Sequence, residues 1–253
     1  MRAVILAAGA GTRLSGSDVV RPKCLAPFGR APLIELQLRA LRSCGIDDVT
    51  VVLGFEGDRV RRSAGPGLKF VENPEFDATN SLYSLWLARA VLTDGFVVLN
   101  CDVLFDPTLL YDLLTARHEN ALLVSYADTT APAFTEEEMK VCVRQGRVVD
   151  IRKDLPPEYT DGENVGIAKF SASGAERLVP IIEALVASGG KRDWAPRAFR
   201  EFAQREALWA VGTRGLPWTE IDTPEDYAHA VRHVFPAIQQ AADALAPALR
   251  RGA

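Results

Sequence analysis

The amino-acid sequence predicts an α/β protein built on a parallel sheet with helices on both faces. Three observations carry that prediction. Ala3-Val4-Ile5-Leu6-Ala7-Ala8, Val49–Leu53, Phe96–Leu99 and Ala121–Val124 are short, near-continuous apolar runs, the pattern of strands covered on both faces. Segments of helical spacing lie between them, an alternation that builds βαβ units. The first run empties into a small-residue loop at Gly9 and Gly11, and in such sheets ligands sit at the carboxyl ends of the strands. With 253 residues, 48% hydrophobic and 25% charged, the chain can bury a substantial core as one domain.

Along the chain, Ile34, Leu38 and Leu41 recur at helical spacing after Pro32, which suits a first helical turn. Lys140–Arg144 and Arg147–Ile151 alternate as exposed strands do, and Gln145-Gly146 between them predicts a hairpin. Glu163–Phe170 reads as another strand. Leu178, Ile181, Ile182 and Leu185 form a helical face whose first turn Pro180 is expected to mark. Thr223-Pro224-Glu225-Asp226 supplies an N-cap, a proline at the first helical position and first-turn acids, ahead of the stripe Tyr227, Ala230, Val231 and Val234. The alanine-rich Ala237–Arg251 is expected to be helical and to pack on the body, join subunits or fray.

Composition narrows the function. A net charge of −4 argues against general nucleic-acid binding. No run approaches the roughly 20 apolar residues of a membrane span. The N-terminal run is too short for a secretory signal and ends in glycine and arginine. Cys24, Cys44, Cys101 and Cys142 show no C-x-x-C spacing, so neither a zinc site nor a disulfide framework is implied, and reduced, cytoplasmic thiols are the default. Residues 1–30 hold Arg2, Arg13, Arg21, Lys23 and Arg30 against Asp18 alone. A basic loop on an acidic protein suits a small polyanion.

The glycine loop fits that ligand. Gly9 and Gly11 let backbone N–H groups close on an anion, and Arg13, Arg21 and Lys23 add charge beside them. Leu14 stands where a dinucleotide fingerprint needs its third glycine, and no Gly-Lys-Ser/Thr follows as in a P-loop. On these residues alone, a tight turn with solvated arginines stays open. Asp102 follows an apolar strand directly, with Asp106 four residues on, and Asp222 precedes Thr223-Pro224. Magnesium takes one or two carboxylates plus phosphate oxygens and water, so Asp102 and Asp222 suit it if the fold brings them together. The alternative is that Asp222 caps the next helix beside Thr223 and Asp102 caps one near Pro107.

The blocks Leu6-Ala7-Ala8-Gly9-Ala10-Gly11-Thr12-Arg13-Leu14, Arg21-Pro22-Lys23, Asn100-Cys101-Asp102, Glu163-Asn164-Val165-Gly166-Ile167 and Glu220-Ile221-Asp222-Thr223-Pro224-Glu225-Asp226 are spread over most of the chain. Together they resemble the nucleotidyltransferase superfamily, which joins a nucleotide to a phosphorylated acceptor and releases pyrophosphate. The resemblance implies a Rossmann-like mixed, mainly parallel sheet flanked by helices, of the nucleotide-diphospho-sugar transferase type, with a small β-hairpin insertion. It implies a single domain over 1–253, with a nucleotide-binding half (1–130), an acceptor-binding half (131–235) and a C-terminal helix (236–253). Leu6, Ala7, Ala8, Gly9, Gly11 and Thr12 would wrap a triphosphate, Arg13 and Lys23 would neutralise it as catalytic cations, and Asp102 and Asp222 would hold Mg2+, with Asp102 also at the nucleotide.

The stretch Asn73–Ala88 looks like that of bacterial phosphocholine cytidylyltransferases and phosphonate-activating relatives, where sugar-phosphate enzymes usually carry a glycine-rich segment. That implies CTP as donor, with Asn80 and Ser81 near the nucleotide, although Asn80 also suits an N-cap. Lys153 and Glu163 match acceptor-facing positions. A choline-like cation would want aromatic faces, for which Tyr83, Trp194 and Trp218 are candidates, each of them otherwise a core or rim residue. The implied reaction is CMP transfer from CTP to a phosphocholine-like acceptor or an alkylphosphonate such as 2-aminoethylphosphonate. The alternatives are a sugar- or polyol-phosphate nucleotidylyltransferase and a catalytically silent nucleotide-binding module. Retention of Arg13, Lys23, Asp102 and Asp222 together argues against silence. The expected partners are CTP and the acceptor, with neither nucleic acid nor membrane, and a homodimer is left open. His118, His229 and His233 lie in no motif, and none is needed as a base, because a phosphate monoester's second pKa is about 6.

Overall fold

The structure is a computed structural model, described for residues 1–14, 21–127 and 134–241. Asp18, the 130/131 boundary between the expected halves and the expected terminal helix from residue 242 onward lie outside the described residues. In chain order the elements are β1 (Arg2–Ala7), β2 (Pro27–Phe28), β3 (Ala31–Pro32), α1 (Leu33–Ser43), β4 (Val49–Leu53), α2 (Gly57–Ala64) and β5 (Lys69–Glu72). Then come α3 (Ser81–Leu87), β6 (Phe96–Asn100), β7 (Val103–Phe105), α4 (Pro107–Thr115) and β8 (Ala121–Tyr126). The rest is β9 (Lys140–Arg144), β10 (Arg147–Arg152), β11 (Gly162–Phe170), α5 (Ala172–Ala187), α6 (Pro196–Ala203), β12 (Trp209–Gly212), β13 (Trp218–Glu220) and α7 (Pro224–His229).

Nine strands form a mixed sheet in the order β5-β4-β1-β6-β11-β8-β12-β10-β9. β1 lies in its parallel half between β4 and β6, with Ile5 level with Val51 on one side and Leu99 on the other. Buried on both faces, it needs the apolar run that announces it. β11 then runs antiparallel to both β6 and β8, and the β9–β10 hairpin turns at Gln145 and Gly146 to form the far edge. Alternate side chains of β1 enter two separate cores: Val4 and Leu6 pack with α3, α5 and α6, while Ala3, Ile5 and Ala7 pack with α1, α2 and α4. A third cluster of Phe28, Leu33, Leu104, Ile221, Ala230 and Val234 seats α7 beside the β2–β3 ribbon.

Three helical details differ from the sequence expectation. α1 starts one residue after Pro32, which pairs with Pro27. Pro180 lies inside α5 rather than in its first turn, because Ser171 sets the start by accepting from the Gly174 N–H. Buried Leu178, Ile181 and Ile182 hold the helix on both sides of the proline, which sits on the exposed face. After α7 the chain takes a π-turn over Ala230–Val234. The wider turn rotates the stripe, so Ala230 and Val234 are buried while Val231 is 40% exposed.

Candidate active site

At the carboxyl edge of β1 and β6 the two strands end side by side, Leu6 level with Asn100. The glycine loop leaves one and the Asp102 turn leaves the other. Gly11 has φ 62°, and a Cβ there would lie 2.8 Å from the Arg21 carbonyl oxygen, so the loop folds back on the segment that carries Lys23 only with glycine. Asp222 arrives from the opposite direction at the end of β13, whose Glu220 pairs with Val103, and the Ile221 N–H donates to the Asp102 carbonyl at 2.9 Å. The fold thus stitches the two aspartates together through their backbones.

Neither acid is a helix cap. Asp106 caps α4 by accepting from the Thr108 N–H at 2.8 Å, and Thr223 with Asp226 forms the capping box of α7. Instead the carboxylates of Asp102 and Asp222 meet at one point, the Lys23 ammonium, which donates to Asp102 Oδ2 at 2.9 Å and to Asp222 Oδ1. Arg13 donates to Asp222 Oδ2 at 2.8 Å and to Glu137 Oε2 at 2.9 Å. Burial opposes the charge on Lys23, but the two carboxylates outweigh it and hold the ammonium pKa well above that of an ordinary lysine. Burial likewise opposes the Asp222 charge, and Lys23 and Arg13 outweigh it and pull that pKa down. The pKa of Glu220, beside them, is pushed well above the ordinary carboxylate range by burial and by the charges of Asp102 and Asp222.

These groups line a cavity of about 440 Å³. Of the residues singled out in the sequence, Leu6, Ala8, Gly9, Gly11, Thr12, Arg13, Lys23, Asn80, Ser81, Asp102, Lys153, Trp194 and Asp222 stand in its wall. Asn80 also caps α3, accepting from the Ser81 N–H at 2.8 Å, and the Ser81 hydroxyl accepts from the Ala195 N–H at 2.8 Å, tying the start of α3 to the Trp194 loop. Lys153 Nζ lies 4.9 Å from the centre of the Trp194 ring and 3.4 Å from Glu137 Oε2. Four residues lie off the wall. Ala7 points to the opposite face of β1, and Tyr83 stacks on Trp86 while donating to Glu75 at 2.6 Å. Trp218 packs against the core cluster of α1 and α4. Glu163 lies behind the wall, where burial and Glu138 raise its pKa to about 7.

The wall also contains residues to which the sequence drew no attention as site residues: Asn73, Thr79 and Ser84, together with Glu137, Met139 and Asn164. Asn73 is 2% exposed and donates to Thr79 Oγ1 and Ser84 Oγ, each at 3.1 Å, a polar cluster that ties the segment before α3 to its first turn. Two carboxylates facing one cation form the donor set that magnesium uses alongside phosphate oxygens and water, and the Lys23 ammonium stands at their meeting point. The residues present fit that ion. Among the described residues no three His, Cys, Asp or Glu side chains group to hold a metal, so phosphate oxygens would have to complete the shell.

A glycine loop, two cations and two convergent carboxylates thus lie together at the edge of an α/β sheet. Residues 3–201 match the MobA-like NTP transferase domain, and the chain belongs to that family. It is 33% identical over 231 residues to a bifunctional IPC transferase and DIPP synthase of Rubrobacter xylanophilus, covering 88% of this chain and 50% of that protein. It is 31% identical over 250 residues to a CMP-5'-(3-aminopropyl)phosphonate synthase of Streptomyces rubellomurinus, covering 91% and 38%. The chain therefore spans half or less of the length of these two relatives. A choline-phosphate cytidylyltransferase of Streptococcus pneumoniae is 26% identical over 239 residues, covering 90% of this chain and 95% of the relative. The solved structure of a CTP:phosphocholine cytidylyltransferase from that species shares the fold at a TM-score of 0.72 and 24% identity, over 91% of this chain and 97% of the other. Among the described residues no helix is long and apolar enough to cross a membrane.

Proposed function

We propose that the protein is a Mg2+-dependent cytidylyltransferase that moves CMP from CTP to a small phosphorylated or phosphonate acceptor and releases pyrophosphate. The observation that carries the reading is the convergence of Asp102 and Asp222 on Lys23 in the wall shared with the glycine loop. The half over 1–130 would take the nucleotide, with its base near Asn80 and Ser81, and the half over 131–235 the acceptor, with Lys153 and Trp194 facing it. A cytidine nucleotide and a phosphocholine- or phosphonate-like acceptor are supported by the names of two relatives, and CTP by that of the solved phosphocholine cytidylyltransferase.

The acceptor oxygen attacks the α-phosphorus in line, and pyrophosphate leaves from the opposite side. The nucleophile is largely ionised at neutral pH, so no side chain has to remove its proton. Arg13 and Lys23 would exchange their carboxylate partners for phosphate oxygens and meet the charge that develops in the transition state. Asp102 and Asp222, released from those cations, would hold the metal ion, which supplies further neutralisation of the phosphates. Catalysis then rests on alignment and electrostatics. A sugar or polyol phosphate is the second reading, favoured by the Asn164 amide in the acceptor wall. Pyrophosphate release measured over four nucleoside triphosphates, crossed with phosphocholine, 2-aminoethylphosphonate and a polyol phosphate, tests both. Release with CTP and one of the first two acceptors supports the first reading; release only with the third supports the second; none in any combination refutes both.

A further inference from the structure

We propose that Gln37 is a positioning residue for Asp102, a reading that rests on Asp102 being a metal ligand. Gln37 interrupts the apolar stripe Ile34, Leu38 and Leu41 of α1 and is only 1% exposed. A buried amide is costly unless its hydrogen bonds are made. Its Nε2 donates to the Asn100 carbonyl at 2.9 Å and to the Val103 carbonyl at 2.8 Å, the two residues that flank Cys101-Asp102. Both donors are spent on the turn that carries Asp102, while Oε1 has no partner among the described residues. An apolar side chain would fill the same place without burying that orphaned acceptor. What only the amide provides is a brace across both ends of the turn.

Other supports act on the same turn, among them the Cys101 N–H, which donates to the Leu6 carbonyl at 3.3 Å. The Ile221 N–H holds the Asp102 carbonyl, and Gly166, at φ 83°, lets Asn100 approach so closely that a Cβ would sit 2.7 Å from Asn100 Nδ2. Each of these grips one residue, whereas Gln37 alone spans from the end of β6 to the start of β7. Without it the strands keep their pairing, and the freedom gained falls on the Asp102 carboxylate. Loss of an outer hydrogen bond that orients a metal ligand typically costs tenfold to a hundredfold in metal affinity.

The test compares wild type, Gln37→Met and Gln37→Asn, which keeps an amide too short to reach both carbonyls. Mn2+ binding in the presence of CTP is followed by electron paramagnetic resonance, alongside the Mg2+ dependence of pyrophosphate release. The expected result is a roughly tenfold weaker Mn2+ affinity in both variants, a parallel rise in half-saturating Mg2+, and kcat near wild type once Mg2+ saturates. Ile34→Val, which loosens the same helix without touching the turn, should leave metal affinity unchanged. Folded Gln37 variants that bind Mn2+ as wild type does, or an equal loss in Ile34→Val, overturn the proposal. Failure of both Gln37 variants to fold assigns the residue to stability and overturns it too. Wild-type protein that binds no Mn2+ with CTP present refutes instead the metal reading beneath it.

Discussion

Replacing Lys23 with alanine should have opposite consequences for activity and for the response to magnesium. The ammonium separates two carboxylates whose side chains are 20% and 22% exposed, and is itself 15% exposed. Its removal leaves those charges facing each other. At about 4 Å and an effective dielectric constant near 20, two like charges repel by about 4 kcal/mol. Breaking a largely buried pair costs about 3–5 kcal/mol, so the ligand-free variant should melt roughly 6–20 °C below wild type. Divalent magnesium restores what the ammonium supplied, and should therefore raise the Tm of Lys23→Ala by several degrees more than that of wild type. Turnover should nevertheless fall by roughly 10²–10³, because a preorganised donor to the transition state is lost. Differential scanning fluorimetry with and without Mg2+, paired with pyrophosphate release, measures both. Near-normal turnover, or a variant that Mg2+ stabilises no more than wild type, would refute the convergent-carboxylate account.

Asp102→Asn and Asp222→Asn should each lower Mg2+-dependent pyrophosphate release by at least about 10², while the far-UV circular dichroism spectrum stays native, since Asp106 and Thr223 do the capping. Glu163→Gln should flatten the pH dependence of stability. With a folded pKa of about 7 above the model-peptide value, the native state holds its proton more tightly than the unfolded chain, so wild type loses stability as pH rises from about 4.5 to 7. Chemical denaturation at pH 8.5 should find the glutamine variant more stable by about 2–3 kcal/mol. Glu137→Gln removes the carboxylate that Arg13 and Lys153 share, and should tighten the binding of CTP or pyrophosphate about two- to fivefold by isothermal titration calorimetry. Weaker binding would mean that Glu137 contacts the substrate productively.

Four strands, β1, β4, β6 and β8, were legible because a strand buried on both faces is written as a near-continuous apolar run, whereas β5, exposed at both ends of Lys69–Glu72, carries no such run. The strand β12 went unread: its apolar run Ala207-Leu208-Trp209-Ala210-Val211 is as short as a helical turn or two, and Trp209–Gly212 is only half-buried. In the site, glycine spacing, Pro22-Lys23 and the two aspartates were readable because their chemistry restricts the residue type. That Asp102 and Asp222 meet depends on β13 pairing with β7, a contact between residues more than a hundred positions apart that no local pattern encodes. Glu137 hid in the run Glu136-Glu137-Glu138, which looks like solvated surface. Gln37 did leave a trace, an amide at a position where the helical stripe calls for an aliphatic side chain. The π-turn after α7, which exposes Val231, left none.

The cavity's ionised groups nearly cancel: Arg13, Lys23 and Lys153 stand against Asp102, Asp222 and Glu137. A lone polyanion approaching from bulk solvent therefore meets little net field, and diffusional capture gains little from long-range steering. The association rate should sit in the unsteered range of about 10⁵–10⁷ M⁻¹s⁻¹ and change little with ionic strength. Selectivity among the many anions in solution would then fall to partner exchange at short range, where only a ligand bringing its own divalent counter-ion satisfies both signs of charge at once.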